Sequence, residues 1–287
     1  MITGNSAIVA HIGFPTHSFK APMIYNPYFE RAGIDAVVVP MGCRPEPFPA
    51  FLQSVFTLEN IRGALITMPH KITTAGLLDE VSPAVKISGS CNAVRCAKDG
   101  SLVGDMFDGE GFVRGVRRKG CQLEGARALV VGAGGVGSAI AASLAAAGVA
   151  SLGLFDARPE AAQGLRDRLA THYPRPVLST GSNDPAGYDL LVNATPMGMN
   201  EGDPLPVDVT RVSPETFVGE VVMKTEMTAF LKAVQARGCR FQVGSDMLFE
   251  QIPAYLEFFR LSDDDARRSA LARNAEILIH LLITIRQ

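Results

Sequence analysis

Cysteine is scarce in this chain, and its arrangement excludes two classes of small, cross-linked protein. The 287 residues include five cysteines, an odd number, and no two of them form a Cys-x-x-Cys pair. Disulfide frameworks and structural zinc sites need paired cysteines at short spacing, so neither is predicted and no metal is expected. The thiols are expected to be reduced and mostly buried. They are Cys43, Cys91, Cys96, Cys121 and Cys239.

An excess of one charge and a long apolar run are missing as well. The 27 basic and 29 acidic residues give a formal net charge of -2, so the chain cannot neutralise a phosphate backbone and nucleic acid is not an expected partner. The most apolar helical stretch, residues 139–150, is shorter than the roughly 20 residues that span a bilayer. Residues 1–6 lack the basic and apolar regions of a signal peptide. We therefore expect a cytoplasmic protein with no membrane partner.

Strands and helices alternate in the first third of the sequence. Short apolar runs that end in Gly or Pro are typical of buried strands, and the segments between them have helical spacing of apolar residues. The order strand, helix, strand, helix, strand predicts a parallel or mixed sheet covered by helices. The predicted strands are residues 7–12, 36–40 and 63–68, and the predicted helices are residues 21–32 and 48–60.

A second α/β unit begins near residue 128 and predicts a Rossmann-type, doubly wound dinucleotide-binding domain. The fold class is therefore α/β with two domains. Residues 1–108 plus 243–287 are expected to form the substrate domain, and residues 109–242 the NAD(P)-binding domain. The predicted strands of the second unit are residues 128–131, 151–155, 189–193 and 217–222, and the predicted helices in the rest of the chain are residues 138–147, 246–259 and 263–285.

A glycine loop lies between the first strand and the first helix of this second unit. Its first glycine permits a tight turn, its second lets the backbone approach a pyrophosphate, and its third allows close packing of helix and strand. Glycine-rich turns are common, so the loop could also simply turn the chain, but the strand and helix on either side favour dinucleotide binding. The loop is Gly132, Ala133, Gly134, Gly135, Val136 and Gly137.

An acidic residue follows the next strand at the distance that a dinucleotide site requires. Asp156 comes about 20 residues after the last glycine of the loop and could accept hydrogen bonds from the ribose hydroxyls of the adenosine. The same carboxylate would repel a 2′-phosphate, so NAD is the predicted cofactor. Arg158, two residues further on, could pair with a 2′-phosphate, which keeps NADP as the second choice.

Two side chains could exchange the proton that accompanies hydride transfer from an alcohol carbon. Lys71 follows a predicted buried strand at its carboxyl end, where α/β folds bind ligands, and Asp108 precedes the dinucleotide-binding domain. A lysine partly withdrawn from water has a lowered pKa and can exchange a proton near neutral pH. On spacing alone the solvated-surface interpretation would be preferred, because most lysines and aspartates that follow strands are surface groups. His70, beside Lys71, is expected to be a neutral bystander.

These residues belong to six motifs that together resemble the shikimate dehydrogenase family over nearly the whole chain. The motifs are Thr-x-Pro-x-Lys at 67–71, Gly-x-x-Asn at 89–92, Gly-Asp-x-x-Asp-Gly at 104–109, the glycine loop at 132–137, Asn-Ala-Thr-Pro-x-Gly-Met at 193–199, and Met-Leu-x-x-Gln at 247–251. The resemblance implies a reversible oxidation of a ring alcohol of shikimate, quinate or a related cyclic hydroxy acid, as in aromatic amino acid biosynthesis. It also implies that Lys71 and Asp108 are the catalytic pair.

The resemblance assigns the remaining site residues as well. Substrate hydroxyls and the substrate carboxylate would be bound by Ser18, Lys20, Thr67, Asn92 and Gln251. Besides the glycine loop, Asp156 and Arg158, the cofactor would be bound by Asn193, Ala194, Thr195, Pro196, Met197, Val221 and Gly244. A homodimer is compatible with the sequence, which contains no signal for it.

The departures from the family concentrate at the substrate. The family's Ser-x-Ser-Pro segment, whose hydroxyls hold the substrate carboxylate, aligns here with Phe19 and Ala21, although a one-residue shift lets Ser18 replace the first serine. Another polar pair of the family is Met106-Phe107 in this chain. Each lost hydrogen bond to a charged group removes about 1.5–3 kcal/mol of binding, so a changed, larger or less polar substrate is expected.

Two other classes of function remain open on the sequence alone. The substrate-site departures are compatible with a catalytically silent or regulatory NAD-binding protein of the same fold, although the retained Lys71 and Asp108 oppose it. A folate-type methylene dehydrogenase has a similar two-domain plan, but the set of motifs fits it less well.

Overall fold

The computed structural model describes residues 2–261 and divides the chain into two compact units. Unit 1 contains residues 2–80, Cys91–Gly104 and residues 253–261, and unit 2 contains Val81–Ser90 and Asp105–Ile252. The helix predicted at 263–285 lies outside the described residues. Within residues 2–261, no helix combines the length and apolar character needed to cross a membrane.

The first sheet has six strands in the order β2-β1-β3-β5-β6-β4. β1 pairs in parallel with both β2 and β3, and β5 is antiparallel to β3, so the sheet is mixed as predicted. The strands are β1 (Ala7–Gly13), β2 (Ala36–Gly42), β3 (Ile61–Ile66), β4 (Glu80–Val81), β5 (Ala93–Cys96) and β6 (Leu102–Asp105). The helices of this part of the chain are α1 (Ala21–Ala32), α2 (Phe48–Val55), α3 (Lys71–Ala75), α4 (Pro83–Ser88) and the 3-10 helix Thr16–Ser18.

The second sheet is an open parallel sheet in the order β12-β11-β10-β7-β8-β9, which is the doubly wound order of a Rossmann-type domain. Its strands are β7 (Arg127–Val131), β8 (Ser151–Phe155), β9 (Val177–Thr180), β10 (Leu190–Asn193), β11 (Phe217–Glu220) and β12 (Phe241–Gln242). The helices are α5 (Asp108–Arg118), α6 (Gly135–Ala146), α7 (Pro159–His172), α8 (Ala229–Ala236), α9 (Gly244–Phe258) and the 3-10 helix Val209–Arg211.

The side chains of β7, which are apolar on both faces of the strand, show why this sheet must be covered by helices on both sides. Ala128 and Val130 pack into a cluster with α5 and α6, whereas Leu129 and Val131 pack into a second cluster with α8. Successive side chains of a strand point to opposite faces, so a continuous apolar strand requires helices on both sides. The carboxyl ends of β7 and β10 therefore meet at the point where the strand order reverses, which is where such sheets bind ligands.

The division into units differs from the predicted domains in three segments. Residues 81–90 and 105–108, predicted in the substrate domain, belong to unit 2 because α4 packs against α6 and α7 and α5 packs against α6. Ile87 of α4 is fully buried in the core cluster of the second sheet. Residues 243–252 also belong to unit 2, since Asp246 in the first turn of α9 binds Lys119 after α5, with 2.5 Å between its Oδ2 and Nζ.

Candidate active site

The glycine loop lies between β7 and α6, and each of its three motif glycines has a different steric environment. Gly132 has φ 109°, and a Cβ on it would lie 2.6 Å from the Ala194 carbonyl oxygen. A Cβ on Gly137 would collide with the carbonyl oxygen of Gly132. A Cβ on Gly134, in contrast, would meet no atom of the described residues within 4 Å. The outer two glycines thus close the loop on itself, and the middle one leaves open space beside the backbone.

That open space lies at the N-terminus of α6. Gly134 is the N-cap residue, and no side chain among the described residues caps the helix there. The first N–H groups of a helix have no intrahelical acceptor and carry the positive end of the helix dipole, so they attract a phosphate. The donors, the dipole and the open approach at Gly134 fit the pyrophosphate of a dinucleotide.

Asp156 follows β8 and is bound to the glycine loop. Its Oδ2 accepts a hydrogen bond from the Ala133 N–H at 2.8 Å, and its Oδ1 accepts one from the Arg158 N–H at 2.9 Å. Burial favours the neutral acid, but these two hydrogen bonds and the Arg158 charge outweigh it and hold the Asp156 pKa below its usual range. The carboxylate is therefore ionised at neutral pH. The Arg158 side chain, 68% exposed, has its Nε 3.5 Å from Asp156 Oδ1.

Asn193 at the end of β10 organises the segment that follows it. The Asn193 side chain is fully buried, and its Oδ1 accepts hydrogen bonds from the Thr195 N–H at 3.1 Å and the Thr195 hydroxyl at 2.7 Å. Its Nδ2 donates to the Met197 carbonyl oxygen at 3.1 Å, and the Met197 N–H donates to Thr195 Oγ1 at 3.1 Å. The predicted cofactor residues Asn193 to Met197 therefore form one hydrogen-bonded turn.

A buried carboxylate that the sequence reasoning missed holds this turn from the neighbouring strand. Glu220 ends β11, is fully buried, and accepts from Asn193 Nδ2 at 2.9 Å. It also accepts from the N–H groups of Val221 and Val222 and from the Thr228 hydroxyl at 3.0 Å. Burial raises the Glu220 pKa, and the hydrogen bonds oppose that rise. A glutamate at the end of an otherwise apolar strand was the available signal.

The predicted cofactor residues Val221 and Gly244 lie beside the end of β11. Val221 follows Glu220 directly. Gly244 begins α9, and a Cβ on it would collide with the Val222 carbonyl oxygen, so this position requires glycine for the close approach of two backbones. All of the predicted cofactor residues therefore lie at the carboxyl ends of β7, β8, β10, β11 and β12 or directly after them in unit 2.

Asp108 and Gln251 are brought together within the same unit. Asp108 begins α5, is 5% exposed, and its Oδ1 accepts a hydrogen bond from Gln251 Nε2 at 3.2 Å. A Cβ on Gly111, one turn along α5, would lie 2.5 Å from Gln251 Cγ, so this glycine allows α9 to approach. The predicted catalytic aspartate is thus oriented by the predicted substrate-binding amide. Met106, just before α5, is 2% exposed and packs near Ser90.

Lys71, Thr67 and Asn92 are brought together in unit 1. The Thr67 N–H donates to the Ile12 carbonyl oxygen at 2.9 Å, which places Thr67 directly beyond β3. Lys71 begins α3, and its carbonyl oxygen accepts from the Cys91 N–H at 2.9 Å. The adjacent Asn92 is 1% exposed, and its carbonyl oxygen accepts from the Ile66 N–H at 2.9 Å. The loop before β5 is thereby bound to both ends of the Thr-x-Pro-x-Lys segment.

His70 was expected to be a bystander, and the structure gives it a packing role instead. The imidazole is 1% exposed, stacks on the Phe48 ring with centroids 3.9 Å apart, and has its Nε2 2.8 Å from the Cys43 carbonyl oxygen. The His70 carbonyl oxygen accepts from the Thr74 hydroxyl at 2.9 Å. These contacts fix the backbone immediately before Lys71, so the direction in which α3 starts is determined by a buried ring.

The segment predicted to hold the substrate carboxylate lies between β1 and α1. Ser18 ends the 3-10 helix, and Lys20 is the exposed N-cap residue of α1. Phe19 between them is half-buried, and its ring contacts the His11 ring of β1 with centroids 4.1 Å apart and the ring planes tilted by 33°. Within residues 2–261, no group of His, Cys, Asp and Glu side chains is arranged to hold a metal ion.

The doubly wound sheet, the glycine loop with its bound carboxylate, and the acid–amide pair of α5 and α9 define a dinucleotide-binding protein of the dehydrogenase class. Residues 12–94 match the family model described as the shikimate dehydrogenase substrate binding domain, and residues 114–157 match that of the ThiF family. A shikimate dehydrogenase (NADP(+)) of Rubrobacter xylanophilus is 37% identical over 254 residues, covering 87% of this chain and 89% of that protein. One of Rhodospirillum rubrum is 32% identical over 280 residues, covering 94% and 99%.

The chain therefore belongs to the shikimate dehydrogenase family, and the resemblance found in its motifs is confirmed. A quinate dehydrogenase from Corynebacterium glutamicum, solved in complex with NAD, has a TM-score of 0.80 at 27% identity and covers 97% of this chain and 99% of that chain. A shikimate 5-dehydrogenase from Listeria monocytogenes, solved with shikimate and NAD, has a TM-score of 0.81 at 26% identity and covers 91% and 92%. A 5-ketofructose reductase of Gluconobacter has the same fold, with a TM-score of 0.85 at 23% identity and coverage of 99% and 100%.

Proposed function

We propose that this protein is an NAD-dependent dehydrogenase that oxidises a ring alcohol of shikimate, quinate or a related cyclic hydroxy acid to a ketone. The observation that carries the proposal is the retention of Lys71 and Asp108 in a family member whose neighbouring substrate residues have changed. A chain that only bound NAD would have no physical requirement for both ionisable groups. The nicotinamide, when bound, supplies the hydride chemistry.

Proton exchange and substrate binding would be carried out by side chains of the protein itself. Lys71 would exchange the hydroxyl proton of the substrate, and Asp108, held by its hydrogen bond from Gln251, would orient the substrate and share that proton exchange. Asn92 and Thr67 are positioned by backbone hydrogen bonds beside Lys71 and are proposed to bind substrate hydroxyls. Gln251, Ser18 and Lys20 complete the proposed substrate residues.

NAD is proposed as the preferred cofactor, with NADP second. The ionised Asp156 lies against the glycine loop, where its charge would oppose a 2′-phosphate and its oxygens could accept from ribose hydroxyls. Arg158 is already paired with this carboxylate, which reduces the positive charge that it could offer to a phosphate. The relatives from Rubrobacter and Rhodospirillum are NADP(+) enzymes, whereas the Corynebacterium and Listeria structures contain NAD.

Substrate-panel kinetics with both cofactors test this function directly. We expect reduction of NAD in the presence of shikimate, quinate or one of a set of related ring alcohols, with a lower kcat/KM for NADP. Saturable NAD binding without turnover of any panel member would instead favour the silent, regulatory NAD-binding protein. Sedimentation of the purified enzyme would show whether it is the homodimer that the sequence permits.

Replacement of Lys71 tests the catalytic assignment. Lys71→Ala should lower kcat about 10²- to 10⁴-fold, the usual contribution of a positioned acid or base, and leave the Kd for NAD unchanged. Lys98→Ala, which removes an exposed lysine from a turn of the same unit, is the matched control and should retain full activity. Unchanged turnover in Lys71→Ala would rule out this lysine as the proton-transfer group.

A further inference from the structure

An aromatic ring occupies the carboxyl ends of β1 and β3, next to the segment that carries Lys71. A Cβ on Gly13, the last residue of β1, would lie 2.9 Å from Phe19 Cζ and would collide with the Thr67 methyl group. The Phe19 ring therefore lies over Gly13 and beside Thr67. The Thr67 carbonyl oxygen accepts from the His70 N–H at 3.0 Å, so Thr67 and Lys71 are separated by a single turn of chain.

The surface around this ring is apolar and exposed. Phe14 is 43% exposed and Met68 is 75% exposed, and the two are joined by a hydrogen bond of 3.0 Å from the Phe14 N–H to the Met68 carbonyl oxygen. Together with Phe19 they form an apolar rim at the edge of the sheet where α/β folds bind ligands. Exposed apolar side chains gathered at such an edge indicate a ligand surface.

The His11 imidazole, which lies against the Phe19 ring, contributes no charge to this surface. His11 of β1 is 7% exposed, and its Nδ1 has no hydrogen-bond partner in the described part of the chain. Burial lowers the pKa of His11 to about 4, so the imidazole that contacts the Phe19 ring is neutral at physiological pH. An aromatic face presents its negative side to a ligand, and neither ring could offset the desolvation of a carboxylate.

We propose that Phe19, supported by His11, determines substrate specificity by selecting an uncharged ring alcohol over a ring that carries a free carboxylate. This inference rests on the proposed dehydrogenase chemistry, and among the ring alcohols related to the proposed acids it favours an uncharged relative, such as an ester, over the free acid. Two cations border the apolar rim: Lys20 is exposed, and Arg44 lies over the Phe14 ring at 5.8 Å from its centroid. If either bound a carboxylate, the acid would be preferred, which the test below would reveal.

The test compares shikimate with methyl shikimate, which have the same ring hydroxyls and differ in charge. Binding is measured by calorimetry to the holoenzyme with NADH, a mixture in which the alcohols cannot react. We expect the wild-type protein to bind the ester at least about tenfold more tightly than the acid, since the acid would bury a charge without a matching donor. In Phe19→Ser, which restores a hydroxyl, this preference should disappear. Phe19→Leu keeps an apolar side chain and should retain the preference.

Three results would overturn the inference. These are equal or tighter binding of shikimate by the wild-type protein, the same ester preference in Phe19→Ser as in the wild type, and no binding of either compound. Turnover of the ester with NAD is measured separately. Tight and selective binding of the ester without turnover would contradict the proposed dehydrogenase function and leave the specificity inference intact.

Discussion

His11 carries a titratable group in a strand interior, and its protonation should make the stability of the protein depend on pH. Its pKa is about 4 in the folded protein, against 6.5 for an unperturbed histidine. Between these values the unfolded chain binds a proton that the folded chain does not, so stability falls as the pH decreases from 6.5 towards 4. The full loss is about 3 kcal/mol, because one pKa unit corresponds to about 1.4 kcal/mol.

Urea denaturation of the wild type and His11→Leu at several pH values checks this prediction. The stability of the variant relative to the wild type should increase steadily as the pH falls through that interval. His17→Asn, a change at an exposed histidine, should follow the wild-type curve. Parallel curves for wild type and His11→Leu would show that His11 is protonated in the folded protein as easily as in the unfolded chain.

Gln242 in β12 is the second buried polar residue with an unfavourable environment. It is fully buried, and neither its Nε2 nor its Oε1 has a partner among residues 2–261. Its Oε1 lies over Gly115 of α5, where a Cβ would be 2.5 Å away. Burying an unpaired amide costs about 1–3 kcal/mol, so Gln242→Met, of similar shape, should raise the free energy of unfolding by about that amount.

The measurement is chemical denaturation, with the exposed Gln122→Met as a control that should have no effect. A lower free energy of unfolding in Gln242→Met would mean that an ordered water or another group satisfies the amide in solution.

At the scale of structural elements, two glycines of the loop are expected to serve different requirements: Gly137 is needed for folding and Gly134 for binding. Gly134 has φ −74° and ψ −171°, a conformation open to any L-residue, and a Cβ there would meet nothing among the described residues. Gly137→Ala would instead force its Cβ against the backbone of Gly132. We therefore predict that Gly134→Ala keeps the wild-type melting temperature without ligand but loses stabilisation by NAD, whereas Gly137→Ala lowers the melting temperature itself.

Thermal unfolding with and without NAD provides the readout. NAD at about 100 times its Kd should stabilise the wild type by roughly 2.7 kcal/mol, since it binds only the folded state. Gly4→Ala is the control, because a Cβ on Gly4 meets nothing among the described residues and the position lies outside the loop, so both quantities should stay at their wild-type values. Full NAD stabilisation of Gly134→Ala would place the pyrophosphate elsewhere.

The turn after β10 shows how one element depends on its neighbour. Asn193, Thr195 and Met197 are bonded to each other locally, and the Asn-Ala-Thr-Pro motif predicts their role. The position of the turn, however, depends on Glu220, which belongs to β11 and binds Asn193 across 27 positions of sequence. This partner lies outside the motif, so the motif identified the turn and not its support, for which the one signal was a glutamate at the end of an apolar strand.

The α/β class and the two sheets agree with the sequence prediction at the scale of the whole molecule. Periodicity and glycine positions located β1, β3, β7, β8, β10 and β11 to within about two residues. The apolar run of β2 was typical of a buried strand, yet only Val38 in it is buried, because β2 is the edge strand of its sheet. An apolar run of four residues does not show whether a strand lies at the edge or in the centre of its sheet, since the position of a strand depends on which strands pair with it.

The residues proposed to carry the chemistry were predicted from the sequence itself. Lys71, Asp108, Asp156 and the glycine loop stand in short motifs whose spacing is local, and local spacing survives in any fold that contains the motif. Only the tertiary structure decided which groups support them. The Gln251–Asp108 and Asn193–Glu220 hydrogen bonds join residues that are distant in sequence. The contact between the Phe19 and His11 rings joins β1 to the segment before α1. The same reason applies to the two units, whose limits follow the packing of α4 and α5 and not any change in composition.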